Sequence, residues 1–204
     1  MREGLPFILV AAGAAVALTR KAPLLSLGSA AFAAACTAFF RDPERVVSAA
    51  PADILSAADG VVMAVDRVIE PWWIQGEADR IAVFLSVLDV HVNRWPVQGR
   101  FAAVKRVAGK YAPAFLHGEH NCKDLLAIDG PRGRVTLAQI SGILARRSVQ
   151  WGNVGDTFEA GDRLGMIRFG SRTDVYVPAG TAEILVKVGD RVRAGQTPIA
   201  RYLG

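Results

Sequence analysis

A glycine–serine pair, Gly170–Ser171, stands between two short apolar runs and could support cleavage of the chain. A serine hydroxyl can attack the carbonyl carbon of the preceding residue and convert that amide into an ester, provided that a base accepts the hydroxyl proton. Glycine before the serine favours this step, because glycine adopts strained backbone geometries without a Cβ penalty. β-Elimination of the ester would leave dehydroalanine, which hydrolyses to a pyruvoyl group and ammonia. A Gly–Ser pair is also a common turn between strands, so the pair by itself does not establish this chemistry.

The base that such a cleavage needs is preferably a histidine that a carboxylate orients. The chain has three histidines, His91, His117 and His120. His91 lies between an apolar run and Pro96, at a predicted strand end or loop, and Asp89 would share its face if the segment is extended. His117 and His120 would face one way on a helix, but a zinc site needs a third ligand. We therefore predict no metal site.

Four stretches of the chain, taken together, point to one family. Met166–Tyr176 reads Met-Ile-Arg-Phe-Gly-Ser-Arg-Thr-Asp-Val-Tyr and resembles the self-cleavage site of the short bacterial and archaeal phosphatidylserine decarboxylases. Phe84–Pro96 is similar to the family phrase Phe-Leu-Ser-x-x-Asp-Val-His-x-Asn-Arg-x-Pro. Ala58–Gly60 matches its Ala-Asp-Gly phrase, and Gln139–Arg147 resembles another of its strands. The resemblance covers most of the chain from residue 51 to residue 201.

The resemblance implies an enzyme that is made as a proenzyme. The chain would break between Gly170 and Ser171 into a large chain, residues 1–170, and a small chain, residues 171–204, and Ser171 would become a covalent pyruvoyl cofactor. That group would decarboxylate phosphatidylserine to phosphatidylethanolamine, as the electron sink that pyridoxal phosphate is elsewhere. By the same resemblance, Asp59 would orient His91, and His91 would act on Ser171 and return a proton to the substrate. Asp89 is the alternative partner of His91.

Two other functions stay open at this point. The same chemistry could act on another serine phospholipid, such as archaetidylserine, because the pyruvoyl group handles only the serine. The second alternative is a non-catalytic, membrane-tethered module of the carrier or adaptor type. It is suggested by a Val-Gly-Asp phrase in Val154–Asp162 and in Ile184–Val192, where the chain resembles biotinyl and lipoyl carrier domains. The lysine that such a carrier modifies is missing, so this similarity argues for a fold and not for a carrier function.

Two uncharged apolar stretches, residues 4–19 and 22–40, open the chain on either side of Arg20–Lys21. We predict that residues 1–45 form a hydrophobic helical hairpin that anchors the protein to a membrane, either by spanning it or by lying in one leaflet. A secretory signal peptide and a pair of buried soluble helices are the alternatives. The second stretch favours the anchor, because a cleaved signal would not need it. Pro43 and the charges around it end the second helix.

The sequence pattern of residues 46–204 predicts a mainly β catalytic domain. Short apolar runs with a period near two are separated by turn residues. Their regular spacing is typical of a sandwich or barrel, and the two Val-Gly-Asp phrases favour a barrel-sandwich architecture. The predicted strands are Gly60–Val68, Arg80–Leu88, Gly99–Ala108, Leu125–Asp129, Gly133–Ser141, Arg163–Phe169, Thr173–Val177 and Thr181–Val186.

Charge and cysteine content favour the cytoplasmic side of an inner membrane. The net charge of +5 would draw the protein to anionic lipid headgroups. The chain lacks a compact block of Lys and Arg interleaved with aromatic residues, so nucleic acid is not an expected partner. Cys36 lies inside the second apolar stretch and Cys122 far from it, which fits a reducing compartment better than a disulfide. The expected partners are a phospholipid substrate and the membrane, and a homo-oligomer is left open.

Overall fold

The structure, a computed structural model, describes residues 3–110, 120–142, 148–167 and 171–204, except for the side chain of Ser171. The chain divides into two compact units, Met1–Pro43 and Glu44–Gly204. The first unit is helical and the second is built from antiparallel strands. The prediction of a mainly β protein with an N-terminal pair of hydrophobic helices is therefore confirmed.

The helical unit consists of α1 (Leu5–Leu18) and α2 (Pro23–Phe39). A proline in the first turn of each helix fits the helix start, where the missing N–H removes no hydrogen bond. Between the helices, the Ser26 hydroxyl donates to the Ala15 carbonyl at 2.6 Å, and the Phe7 ring stacks on Phe40 with 6.2 Å between ring centroids. Within the described residues, neither helix is long and apolar enough to cross a membrane.

Large apolar side chains cover much of the outer surface of the helical unit. Both helices are almost uniformly apolar, so burying one stripe against the partner helix leaves the other faces exposed. The exposed large side chains are Leu5, Phe7, Leu9, Val10, Val16, Leu24, Leu25, Leu27 and Phe32. In a helix pair that faces water, the outer surface would instead carry polar and charged side chains.

The second unit contains three antiparallel sheets. The long sheet has the order β13-β2-β3-β11-β7-β6-β5-β9, and two three-stranded sheets have the orders β4-β10-β8 and β1-β14-β12. The strands are β1 (Asp53–Leu55), β2 (Gly60–Glu70), β3 (Gly76–Leu85), β4 (Val92–Arg94), β5 (Gly99–Val107), β6 (Lys123–Gly130), β7 (Gly133–Ser141), β8 (Ser148–Gln150), β9 (Thr157–Phe158), β10 (Arg163–Ile167), β11 (Ser171–Pro178), β12 (Ala182–Ile184), β13 (Arg191–Val192) and β14 (Pro198–Tyr202).

The main core of this unit is formed by alternate residues of the long strands. On β11, Val175 and Val177 belong to it, whereas Tyr176 between them belongs to a second, smaller cluster with Ala138 and Ile140. This alternation is the period of two that a strand imposes on its side chains. The central strands are thus buried on both faces, which explains how charged residues of β11 come to be buried.

The two Val-Gly-Asp phrases adopt the same local structure. Asp156 accepts the backbone N–H of Asn153 at 2.8 Å, and Asp190 accepts that of Lys187 at 3.0 Å. The glycines at matching places all have positive φ: Gly155 and Gly189 at 105° and 96°, and Gly161 and Gly195 at 87° and 70°. The short strands β9 and β13 follow these turns and form the opposite edges of the long sheet. The repeat noticed in the sequence is therefore a repeat in structure.

Candidate active site

The candidate scission point lies at the start of a central strand. Ser171 is the first residue of β11, and its backbone pairs with Leu85 on β3 and with Ser141 on β7. Gly170 and the side chain of Ser171 lie outside the described part of the structure. The strand that follows the predicted break is therefore hydrogen-bonded to a neighbour on each side.

His91 is completely buried just before β4. Its Nδ1 lies 2.9 Å from the carbonyl oxygen of Asp89. A carbonyl oxygen only accepts, so Nδ1 carries the proton in this hydrogen bond, and Nε2 is the basic nitrogen of the neutral ring. The carbonyl of His91 accepts the backbone N–H of Ile167 at 3.3 Å. His91 is thus joined to the last described residue before the scission point.

Asp59 lies immediately before β2, and its carboxylate binds a cation. Arg45 donates to Oδ1 at 2.5 Å and to Oδ2 at 2.7 Å, and the backbone N–H of Ala194 donates to Oδ1 at 2.8 Å. Arg45 also donates to the Ala194 carbonyl at 2.7 Å. The Arg45 side chain is only 7% exposed. Asp59 therefore joins the segment that precedes β1 to a turn near the C-terminus, a contact that the sequence did not reveal.

Asp89 closes the turn that precedes His91. Its Oδ2 accepts the backbone N–H of Ser86 at 2.8 Å and the Ser86 hydroxyl at 2.7 Å. Its Oδ1 is 3.5 Å from Arg191. Asp89 contacts the imidazole through its backbone carbonyl, and its carboxylate shapes the turn that supports the ring.

Strand register brings these positions to one end of the long sheet. Leu85 on β3 faces Ser171, and its neighbour Phe84 faces Val61 on β2, two residues after Asp59. The glycine between, Gly60, has φ 150°, and a Cβ there would lie 2.0 Å from the Phe84 carbonyl oxygen. Only glycine allows this close approach. The segment 57–59 also runs beside β4, because Arg94 donates its N–H to the Ala57 carbonyl at 2.9 Å.

A chain of buried polar side chains, absent from the sequence predictions, lies between the long sheet and the β4-β10-β8 sheet. We call it the amide chain. Gln150 donates to Gln139 at 2.8 Å, Gln139 donates to Asn93 at 2.8 Å, and Asn93 donates to Thr173 at 3.4 Å. The amide chain joins Asn93 on β4 to Thr173 on β11. Asn93 is two residues after His91, and Thr173 is two residues after Ser171. The available signal was Gln139 itself, a polar residue within the apolar run of β7.

The amide chain ends at a buried carboxylate. Asp124 on β6 accepts hydrogen bonds from Gln150 at 3.3 Å, from Arg106 at 2.7 Å and from the Ser148 hydroxyl. Burial alone would raise the pKa of Asp124, but the hydrogen bonds from Arg106 and Ser148 outweigh it and lower the pKa. Asp124 is therefore ionised at neutral pH and fixes the far end of the chain.

Charged residues also occupy the opposite face of β11. Arg172 donates to Asp174 at 2.6 Å, Tyr176 donates to Asp174 at 3.2 Å, and Arg80 donates to Asp66 at 2.8 Å. Burial and the neighbouring Asp174 raise the pKa of the Tyr176 phenol. Hydrogen bonding to Arg80 lowers the pKa of Asp66. Arg80 also lies 4.0 Å from Asp174, so these ion pairs join β2, β3 and β11 and hold the residue after Ser171 in place.

The possible metal site stays a matter of prediction. His117 lies outside the described residues, so its pairing with His120 is untested, and His120 itself is exposed. Within the described part of the chain, no group of three or more His, Cys, Asp or Glu side chains has the arrangement of a metal site.

Comparison with known proteins identifies the family of the chain. The family model for phosphatidylserine decarboxylase matches residues 32–200. A phosphatidylserine decarboxylase proenzyme from Symbiobacterium thermophilum is 45% identical over 98% of this chain and 94% of its own length. Proenzymes of the same name from Mycobacterium tuberculosis and Desulfotalea psychrophila are 44% and 37% identical, over 97% and 99% of this chain and 87% and 96% of their own lengths. The chain belongs to the phosphatidylserine decarboxylase family.

Proposed function

We propose that the protein is a phosphatidylserine decarboxylase proenzyme. It cleaves itself between Gly170 and Ser171 and uses the resulting pyruvoyl group to convert phosphatidylserine into phosphatidylethanolamine. The observation that best supports this proposal is the meeting of Ser171, Leu85 and the buried His91 segment at one end of the long sheet. These positions come from distant parts of the sequence and contain the residues that the chemistry requires.

Self-cleavage requires a sequence of proton transfers at Ser171. The hydroxyl oxygen attacks the carbonyl carbon of Gly170, its proton passes to a base, and the amide nitrogen departs as a protonated amine, which leaves an ester. Removal of the α-proton of residue 171 then expels the Gly170 carboxylate and forms dehydroalanine. Water replaces the nitrogen, which leaves as ammonia. His91 is suited to accept the first proton, because its Nδ1 donates to a carbonyl and Nε2 remains basic.

The described residues fit a pyruvoyl group at position 171. Such a group would be bonded to Arg172 through an amide and held by the backbone of β11, so it would need no set of side-chain ligands. When present, it supplies an electron sink for cleavage of the bond to the carboxylate. The protein holds the reacting end of β11 fixed between β3 and β7, and His91 returns a proton to the carbon that has lost carbon dioxide.

Replacing the serine tests the proposal directly. Ser171→Ala should abolish processing and leave one band of 21.8 kDa on a denaturing gel, because alanine has no hydroxyl for the attack. The wild-type protein should give two bands, and mass spectrometry should find residues 171–204 with a keto group at the new amino end. The exposed Thr157→Ala variant, at the sheet edge, should process normally. An intact wild-type chain that decarboxylates phosphatidylserine would contradict the proposal.

We also propose that the helical unit attaches the protein to the cytoplasmic face of the inner membrane. The support is the set of large apolar side chains on the outside of α1 and α2, which water solvates poorly and lipid accepts. A lipid substrate makes this attachment useful, because confinement to the same surface raises the effective concentration of enzyme and substrate.

A further inference from the structure

Two adjacent large apolar side chains are exposed next to the candidate active site. Val87 is 59% exposed and Leu88 is 79% exposed. Val46 and Val47 are also adjacent and exposed, but Val47 is only 38% exposed. Within the described residues of the second unit, no other two consecutive large hydrophobic residues are each more than half exposed. Single exposed apolar residues are ordinary on protein surfaces, whereas a local pair beside a functional site indicates a contact.

The pair occupies the two central positions of a tight turn. The backbone N–H of Asp89 donates to the Ser86 carbonyl at 3.0 Å, which makes Val87 and Leu88 the tip. Such tips are usually occupied by Gly, Asn, Asp, Ser or Pro, because these residues favour turn geometry and water. The sequence predicted that β3 would continue to Leu88, but the strand ends at Leu85, so these residues do not face a core.

The base of this turn is fixed and leads directly to His91. The Asp89 carboxylate accepts two hydrogen bonds from Ser86, and the Asp89 carbonyl accepts one from the imidazole. Asp89 is 9% exposed and His91 is fully buried, so the tip protrudes from a buried support. A displacement of the tip would therefore be transmitted to Ser86 and Asp89, which support the His91 imidazole.

A cation accompanies the apolar tip. Arg191 lies 3.5 Å from Asp89, and its side chain is 73% exposed. Lys187 and Arg193, near it in sequence, are also exposed. Apolar side chains beside exposed cations match the interface of an anionic phospholipid bilayer, where acyl chains meet charged headgroups.

We propose that the Ser86–Asp89 turn inserts Val87 and Leu88 into the interface of an anionic phospholipid bilayer, with Arg191 at the level of the headgroups. The insertion sets the depth at which His91 meets a lipid headgroup. This inference rests on the proposed function for its consequence in catalysis, but insertion itself can be measured without any turnover.

The direct test places a fluorophore at the tip. Leu88→Trp in the full chain should acquire tryptophan fluorescence that is quenched by phosphatidylglycerol vesicles with brominated acyl chains. Leu203→Trp is the matched control, since Leu203 is 55% exposed. Its backbone N–H bonds to the carbonyl of Thr181, just beyond the far end of β11, a strand whose two ends lie about 23 Å apart. Equal quenching of the two variants, or none at position 88, would overturn the proposal.

The kinetic test separates the membrane from the chemistry. Val87→Ser with Leu88→Ser should raise by about tenfold the vesicle concentration needed for half-maximal decarboxylation of bilayer phosphatidylserine, because less apolar surface is buried. Self-cleavage and turnover of a short-chain, monomeric phosphatidylserine should be unchanged. An equal loss on both substrates, or no loss on vesicles, would refute insertion. If the wild-type protein turns over neither substrate, the proposed function fails, and the quenching experiment still decides insertion.

Discussion

At the scale of single residues, Asp59 and Asp89 have different surroundings although both are candidates to orient His91. Asp59 forms a bidentate ion pair with Arg45. Asp89 instead accepts hydrogen bonds from Ser86 and supports the imidazole through its backbone carbonyl. Only a side-chain role is lost when a carboxylate is replaced by an amide. Substitution therefore distinguishes the two aspartates.

We predict that Asp59→Asn slows self-cleavage by about 10²–10⁴-fold, the usual contribution of an acid–base partner. Asp89→Asn should slow it by less than about tenfold, because its carbonyl still accepts the imidazole N–H. The time course of the two bands on a gel measures both rates. Arg45→Met is the control, since it removes the same ion pair and keeps the Asp59 carboxylate. Normal cleavage in Asp59→Asn together with a block in Asp89→Asn would reverse the assignment.

At the scale of elements, the amide chain is the contact that ties the histidine strand to the strand of the scission point. Gln139 lies in the same row as Asp124 and Thr173 across β6, β7 and β11, and it reaches Asn93 of the facing sheet. Removing its amide leaves buried partners without a hydrogen bond, which costs about 1–3 kcal/mol each. The Asn93–Thr173 hydrogen bond between β4 and β11 then remains, but Asn93 no longer receives the Gln139 hydrogen bond that orients its amide.

Gln139→Met should therefore lower the free energy of unfolding by about 1–3 kcal/mol and also slow self-cleavage by tenfold or more, since about 1.4 kcal/mol of lost positioning is a factor of ten. Thr136→Val on the same strand is the matched control. It removes a buried hydrogen bond to Glu70 at 3.2 Å, about 10 Å along β7 from Gln139. Urea unfolding, in a Ser171→Ala background, gives the stabilities. If both variants slow cleavage in proportion to their loss of stability, the amide chain has no positioning role.

The sequence predicted the long strands well and the short ones poorly. β2, β5 and β7 start at the predicted residues, because each has nine or more residues and follows a clear turn signal. β4, β8, β9 and β13 have only two or three residues, too few for any period.

The amide chain could not be predicted from the sequence, because Asn93 and Gln139 come together only when two sheets are stacked. Ser171 and His91 could be predicted as site residues because each stands in a long, specific phrase.

At the scale of the whole molecule, we propose different roles for the two units. All the residues assigned to the candidate site belong to Glu44–Gly204, and the apolar helices belong to Met1–Pro43. Changes in the exposed surface of the helices should therefore alter membrane binding and leave the chemistry intact.

We predict that Val10→Gln, Leu24→Gln and Leu25→Gln together release most of the protein from vesicles, because each exposed apolar side chain gains about 1.5–3 kcal/mol when it is fully buried in lipid. Self-cleavage should proceed at the wild-type rate. Co-sedimentation with anionic vesicles measures the binding. Ile69→Gln with Val104→Gln, two exposed positions of the second unit, should sediment like the wild-type protein. Undiminished sedimentation of the triple variant would show that the helices are not the attachment.

The central place of β11 in the long sheet affects how the protein folds before and after cleavage. Residues 171–204 contribute β11 to the middle of the long sheet, β13 to one edge of it, and β12 and β14 to a separate sheet. After cleavage, residues 171–204 would remain hydrogen-bonded to strands of the large chain but would no longer be covalently joined to it. Reassembly after complete denaturation becomes a meeting of two molecules and depends on their concentration. Under the proposed self-cleavage, only the intact precursor can therefore fold unimolecularly, and the persistence of the cleaved form would depend on how slowly it unfolds.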